Sequence, residues 1–147
     1  MFKFSNSSEQ KLKTMRVELQ QIFRLALKNS QVDFGISEGR RSIERQKKLF
    51  AQGRTEPGKI VTYIDGENDL SDHNYNPSRA GDIYAFVNGK ATWEMNYLLY
   101  LGGVITAAAE QLGFKIKWGA NWDGDGILLT DQSFEDAPHF SLIIELA

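Results

Sequence analysis

The sequence contains no cysteine and only two histidines, His73 and His139, among its 147 residues. Without a thiol, a disulfide framework, a cysteine nucleophile and a cysteine zinc finger are all excluded. Any histidine-based chemistry must use His73, His139 or both. Basic residues are in no excess: 17 lysines and arginines face 19 acids, for a net charge of −2. An electrostatic nucleic-acid binder shows a basic surplus, so no nucleic-acid partner is expected. Long apolar runs are missing too. The longest, Tyr97 to Ala109, includes Gly102 and Gly103 and is well short of the roughly 20 residues that span a bilayer. Membrane insertion is therefore not expected. The first eight residues turn polar at once and offer no signal-peptide core, so the expectation is synthesis in the cytoplasm. What remains is 41% apolar and 24% charged residues, the balance of a globular domain at a length typical of one domain.

The apolar residues are patterned. Leu12, Met15, Leu19, Ile22 and Ala26 recur at steps of three and four, which predicts a helix over about 8–29, with Ser7 and Gln10 as its capping box. A strand over 32–37 follows, and then a helix over 43–52 capped by Ser42 and stopped by Gly53. Residues 59–64 read as a strand or extended edge, 65–79 as a polar loop, and 82–87 as a buried strand. Asn88-Gly89 is a hairpin signal, and Thr92 offers a cap to a helix over 93–112. Gly102-Gly103 inside that helix predicts close backbone packing. Phe114, Ile116 and Trp118 alternate as in a strand, 119–138 is a loop rich in glycine and aspartate, and 139–146 is a last strand. Helix, strand, helix, strands, helix, strands is an α+β order. A single domain over 1–147 is expected, with no separate wall-binding domain.

Both histidines stand beside acids where loop turns to strand: Asp72-His73 ahead of Ala80-Gly81-Asp82, and Asp136-Ala137-Pro138-His139. A catalytic zinc takes three protein ligands and keeps one position open. His73, Asp82 and His139 would supply such a set. Asp136 would be the spare carboxylate, able to take a proton from an attacking water and pass it to a leaving amine. The residues alone leave another reading open, in which the histidines are solvated or capping groups and the acids form turns. Arg41 likewise reads either as a catalytic cation or as a surface residue in a first helical turn. Asp123-Gly124-Asp125-Gly126 begins like a calcium loop, but Ile127 stands where an EF-hand needs Asp or Asn. A turn is the default there, a regulatory cation the alternative.

Several ordered motifs resolve these alternatives through a resemblance. They are Glu38-Gly39-Arg40-Arg41-Ser42-Ile43-Glu44-Arg45-Gln46, Phe50-Ala51-Gln52-Gly53-Arg54-Thr55, Pro57-Gly58-Lys59-Ile60-Val61-Thr62, Ser71-Asp72-His73-Asn74 with Ala80-Gly81-Asp82, Trp118-Gly119-Ala120-Asn121-Trp122, and Asp136-Ala137-Pro138-His139-Phe140. In this order, over Ser37 to Leu142, the chain resembles the D-Ala-D-Ala carboxypeptidase and L-alanyl-D-glutamate endopeptidase group of zinc metallopeptidases. That group includes many phage endolysins and shares a fold with the zinc domain of hedgehog proteins. The resemblance implies a small antiparallel sheet flanked by helices. It implies one Zn2+ per chain on His73, Asp82 and His139, catalysis by Asp136 and Arg41, and substrate binding by Gln46, Ser71 and Trp122. Two departures stand out. His73 and Asp82 are nine positions apart, where seven is commonest in the family, and Arg40 stands where tyrosine is usual.

The function implied is a phage endolysin that hydrolyses the peptidoglycan stem peptide, most naturally at the L-alanyl-D-glutamate bond. D-Ala-D-Ala carboxypeptidase activity and a non-catalytic zinc module of the same fold are the alternatives. The expected setting is a monomer made in the host cytoplasm and released through a holin lesion to act on peptidoglycan in the periplasm.

Overall fold

Ser5 starts the first helix. Its hydroxyl accepts a hydrogen bond from the Ser8 amide at 3.2 Å and so satisfies a free N–H of α1 (Asn6–Leu12). The cap therefore lies two residues ahead of the expected Ser7. The expected single helix over 8–29 is in fact two, α1 and α2 (Val17–Asn29). The apolar stripe runs through the break unbroken, with Leu12, Met15, Leu19, Ile22 and Ala26 all buried, which is why periodicity concealed it. Tertiary hydrogen bonding makes the break. Arg16 N–H donates to the Ser78 carbonyl at 2.9 Å, and Ser78 N–H donates to the Thr14 carbonyl at 2.8 Å. The backbone at 14–16 leaves the helix in order to pin the loop that precedes Asp82.

The computed structural model describes residues 1–132 and 134–144. After α2 come β1 (Asp33–Glu38), α3 (Ile43–Ala51), a 3-10 turn (Asp72–Asn74), β2 (Ala80–Val87), β3 (Lys90–Thr92), α4 (Met95–Leu112), β4 (Ile116–Gly119) and β5 (Asp136–Leu142). The strands form one antiparallel sheet in the order β1-β2-β5-β4, with β3 folded back on β2. The turn at Asn88-Gly89 has both residues in the left-handed region, φ 52° and 76°, as a two-residue hairpin requires. The fold is α+β, a small antiparallel sheet flanked by helices.

Some boundaries differ from expectation. Residues 59–64 pair with no strand among the described residues. Side chains take their carbonyls instead: Gln52 reaches Lys59, Arg54 reaches Thr62 and Gln46 reaches Ile64, at 2.8, 3.1 and 2.7 Å. The last strand begins at Asp136 rather than His139, because Asp136 pairs with Gly119 across a bulge in β4. Its expected end at Leu146 lies outside the described residues. The helix expected from Trp93 begins at Met95, and the Thr92 hydroxyl accepts from the Glu94 amide just ahead of it.

The two faces of the sheet separate core from chemistry. Phe34, Ile36, Ile83, Ala85, Phe140 and Leu142 point to one face and are buried against α2 and α4. Asp82, His139, Ser141 and Lys117 are paired across β2, β5 and β4 and point to the other, because side chains alternate along a strand. Trp118 belongs to the core face. Its ring stacks on Phe140 with centroids 6.1 Å apart, and its indole N–H donates to the Ala137 carbonyl at 2.7 Å. α4 lies directly on this indole at Gly102, where any Cβ would overlap the ring, whereas Gly103 is exposed and faces open space. Gly102→Ala is therefore expected to destabilise the fold by about 1–3 kcal/mol or more, since Trp118 is held on both sides. Gly103→Ala should stabilise it by about 0.5–1 kcal/mol through helix propensity. Chemical denaturation of the two variants checks the contrast, and equal effects would refute this packing.

Candidate metal centre and active-site cleft

The 3-10 turn that carries His73 is capped from both ends. Ser71 Oγ accepts from the His73 amide at 3.3 Å, and Asn74 Oδ1 accepts from the Ser71 amide at 2.8 Å. The same turn is laced to the segment before α3. Arg41 N–H donates to the His73 carbonyl at 2.7 Å, and Asn74 Nδ2 donates to the Arg41 carbonyl at 3.0 Å. The residues between His73 and Asp82 fold back on themselves, with Arg79 N–H on the Asp72 carbonyl at 2.9 Å. The two extra positions of this loop are thereby absorbed without separating the two side chains.

Three donor atoms meet at the centre. His73 Nε2 lies 3.2 Å from Asp82 Oδ1 and 3.2 Å from His139 Nδ1, and His139 Nδ1 lies 3.0 Å from Asp82 Oδ1. The outer nitrogens decide what faces inward. His73 Nδ1 is 2.7 Å from the Gly39 carbonyl, which can only accept, so Nδ1 carries the proton and Nε2 presents its lone pair. His139 Nε2 is 2.6 Å from Ser141 Oγ, a hydroxyl able to accept from it, and in that tautomer Nδ1 presents its lone pair in the same way. Two imidazole lone pairs and a carboxylate pointed at one another call for a cation between them. A tetrahedral ion with bonds of about 2.0–2.1 Å has ligands roughly 3.3 Å apart, close to the spacing seen. His73, Asp82 and His139 form a group able to hold a metal ion.

The electrostatics agree. Burial opposes the Asp82 charge, yet His73 and His139 outweigh it and hold this carboxyl far below the usual carboxylate range. Burial likewise opposes charge on His139, but the Asp82 carboxylate raises its affinity for a proton above the ordinary value. Asp136 behaves oppositely. Burial, followed by the negative charge of Asp82, pushes it up to about 6. Its side chain is about one-third exposed, and Oδ2 stands 4.0 Å from His139 Nδ1. This places it beside the cluster and outside the trio of donor atoms. Gly119 makes the approach possible, because a Cβ there would run into the Asp136 backbone.

Arg41 enters the cleft from the β1 side, its side chain only 10% exposed. Glu38 grips it through two hydrogen bonds of 2.9 and 3.0 Å, Gln46 Oε1 accepts from Nη1 at 2.8 Å, and Nη2 lies 3.8 Å from Asp82 Oδ2. Burial raises the Glu38 pKa, but hydrogen bonds from Arg41 and Arg45 hold it below its usual value. Gln46 is fully enclosed. It binds Arg41 on one side and the Thr62 hydroxyl and Ile64 carbonyl on the other, at 3.2 and 2.7 Å. Its hydrogen bonds tie Arg41 to the 62–64 segment, and of the two side chains it is Arg41 that lines the cleft. Trp122 and Ser71 do line the cleft, which has a volume of about 340 Å³. The Trp122 ring lies 5.6 Å from the His139 ring and is anchored by its N–H on the Phe134 carbonyl at 2.9 Å. Asp123, Asp125 and Asp131 gather on the surface, where Asp125 Oδ1 accepts from the Ile127 amide at 2.7 Å, as in a turn.

Two contributors escape a reading of motifs alone. Glu38 stands three positions before Arg41, the spacing that lets an acid grip an arginine, yet i,i+3 pairs are common enough to pass unnoticed. Ser141 stands two positions after His139, which on a strand means the same face. Removing Gln46 leaves a buried guanidinium N–H and a buried carbonyl short of partners. Gln46→Ala is expected to cost about 1–3 kcal/mol, while the exposed helical Gln21→Ala should stay within about 0.5 kcal/mol. Denaturant titration would show it, and a neutral Gln46→Ala would refute the positioning role.

Comparison with known proteins supplies relatives for this arrangement. A family profile described as phage L-alanyl-D-glutamate peptidase matches residues 1–143. The chain is 30% identical over 129 residues to the L-alanyl-D-glutamate peptidase of Escherichia phage T5, covering 85% of each protein. It is 33% identical over 127 residues to the peptidoglycan L-alanyl-D-glutamate endopeptidase CwlK of Bacillus subtilis (strain 168), covering 80% of this chain and 65% of CwlK. Among solved structures, the Serratia marcescens L-Ala D-Glu endopeptidase ChiX superposes with a TM-score of 0.76 at 28% identity, over 97% of this chain and 90% of ChiX.

Proposed function

The chain belongs to the phage L-alanyl-D-glutamate peptidase family, and from that premise we propose that it hydrolyses the L-alanyl-D-glutamate bond in the peptidoglycan stem peptide, as an endolysin in host-cell lysis. The observation that carries this reading is the meeting of His73, Asp82 and His139 in one cleft with Asp136 and Arg41. Two imidazoles and a carboxylate at this spacing suit zinc, one ion per chain. When bound, zinc supplies a Lewis acid that polarises a carbonyl and makes water a better nucleophile near neutral pH.

The residues of the chain carry the rest. Asp136, with its proton affinity raised toward neutrality, takes a proton as water oxygen bonds to the alanyl carbonyl carbon. It returns that proton to the glutamyl nitrogen as the carbon–nitrogen bond breaks. Arg41 supplies a permanent, pre-oriented positive charge for the oxygen on which negative charge builds. Glu38 and Gln46 hold its fork in place, so little reorganisation is needed at the moment of reaction. Ser71 fixes the His73 turn and Trp122 forms the opposite wall. Every one of these side chains comes from a single chain, so a monomer suffices. In the lysis role the wall lies beyond the host membrane, and a holin lesion is the route we infer.

Zymography on a peptidoglycan gel with and without chelator tests the activity. Mass spectrometry of digested sacculi tests the bond: new glutamyl amino ends support the proposal, whereas release of terminal D-alanine alone would make the enzyme a carboxypeptidase.

We expect the metal and the proton carrier to separate cleanly. His73→Ala and His139→Ala should each lose stoichiometric zinc by elemental analysis. Asp136→Ala should keep its zinc and lose about two to four orders of magnitude in kcat. Zinc retained in either histidine variant, or near-normal turnover in Asp136→Ala, would refute the assignment.

The two adjacent arginines provide a further test. Arg40 is exposed, and its backbone amide is tied to Thr14 Oγ1 at 2.8 Å. Arg41→Ala should lower kcat with zinc unchanged, Arg41→Lys should recover it only in part, and Arg40→Ala should be mild. Equal losses at the two positions in steady-state assays would mean that their charge merely attracts an acidic wall polymer.

A further inference from the structure

Lys117 lies on β4 directly opposite Ser141, on the sheet face that carries His139 and Asp82, and it lines the cleft. Two basic side chains besides the histidines line this cleft, Arg41 and Lys117. Glu38 and Gln46 occupy three of the five guanidinium N–H groups of Arg41, and the two that remain are assigned above to the carbonyl oxygen. The Lys117 ammonium has no hydrogen-bond or ion-pair partner among the described residues. The other charged groups lining the cleft, apart from the histidines, are the carboxylates of Asp72 and Asp136, so an anionic ligand entering it meets repulsion unless a cation receives it.

The proposed substrate brings such an anion. In an L-alanyl-D-glutamyl bond the glutamate contributes its amine. One of its two carboxyl groups continues the stem peptide, and the other stays free as a carboxylate. We propose that Lys117 is the specificity-determining residue that receives this free carboxylate, an inference that rests on the function proposed above. The placement also orders the substrate along the cleft. Lys117 and Asp136 share the β4 edge, Asp136 being paired with Gly119 two residues along the strand. The glutamyl half and its departing nitrogen then lie beside Asp136, which must protonate that nitrogen, and the alanyl carbonyl lies toward Arg41.

The test uses the full-length zinc enzyme and two synthetic stem peptides. They are identical except that the free glutamyl carboxyl is a carboxylate in one and a carboxamide in the other. Wild type is expected to favour the carboxylate peptide by about tenfold or more in kcat/KM, mostly through KM, the scale of a charge-assisted hydrogen bond. Lys117→Met and Lys117→Gln should bring that ratio close to one, chiefly by raising KM for the carboxylate peptide, with zinc content unchanged. Lys117→Arg should restore most of the preference. If wild type cuts the bond but shows no preference, or if Lys117→Met keeps it, Lys117 does not read the carboxylate and the proposal falls alone. If wild type cuts neither peptide, the underlying function falls with it.

Discussion

The antiparallel pairing of β2 with β5 places Asp82 directly across from His139, and the chemistry of the protein depends on that register. Side chains alternate along a strand, so a slip of one residue would send one of these two into the core and bring a core residue out. The register is fixed from the other face, where Gly81 lies opposite Phe140 and Phe140 stacks on Trp118. Packing of apolar rings on one side thus sets the spacing of polar donor atoms on the other. His73 arrives on a short turn instead of a strand, and that turn is held by its own cap and by the backbone of Arg41. The three donors are brought within 3.0–3.2 Å of one another by three different pieces of chain.

Around this cluster the polar groups are satisfied in layers. Gly39 accepts from His73, Ser141 and His139 share a hydrogen bond, and Glu38 and Gln46 both hold Arg41. No buried side-chain nitrogen or oxygen among the described residues lacks a partner. A buried ion pair such as Arg41–Glu38 adds little net stability, because desolvation offsets much of the attraction. Its value here is directional. The guanidinium is held on two sides with Nη2 3.8 Å from Asp82 Oδ2, within ion-pair reach of that carboxylate but not hydrogen-bonded to it.

The cleft has a polarity that follows from strand order. Arg41 stands at the β1 side and Asp136 at the β4 side, with the trio able to hold a metal ion on β2, β5 and the 3-10 turn between them. In the proposed reaction an amide lying across this axis would meet a positive charge at its oxygen and a proton carrier at its nitrogen. The raised proton affinity of Asp136 arises from burial and from the nearby Asp82 charge, so the trio itself tunes the group beside it.

Much of this was legible in the chain before folding. Having two histidines and no cysteine left only one histidine pair for a metal, and the ordered motifs around His73, Asp82, Asp136 and His139 gave the reaction class. The α+β order and most strand positions also followed from local pattern, because a strand with one buried face must alternate. What local pattern missed was decided by contacts distant in sequence. The break between α1 and α2 comes from Ser78 bonding to Thr14 and Arg16, and the unpaired state of 59–64 comes from the side chains of Gln46, Gln52 and Arg54. Whether Gln46 faces substrate or positions Arg41, and whether Trp118 or Trp122 walls the cleft, depends on which sheet face and which depth each side chain reaches. Residue type and spacing are properties of the chain, but burial and direction exist only once the two faces of the sheet have been covered unequally.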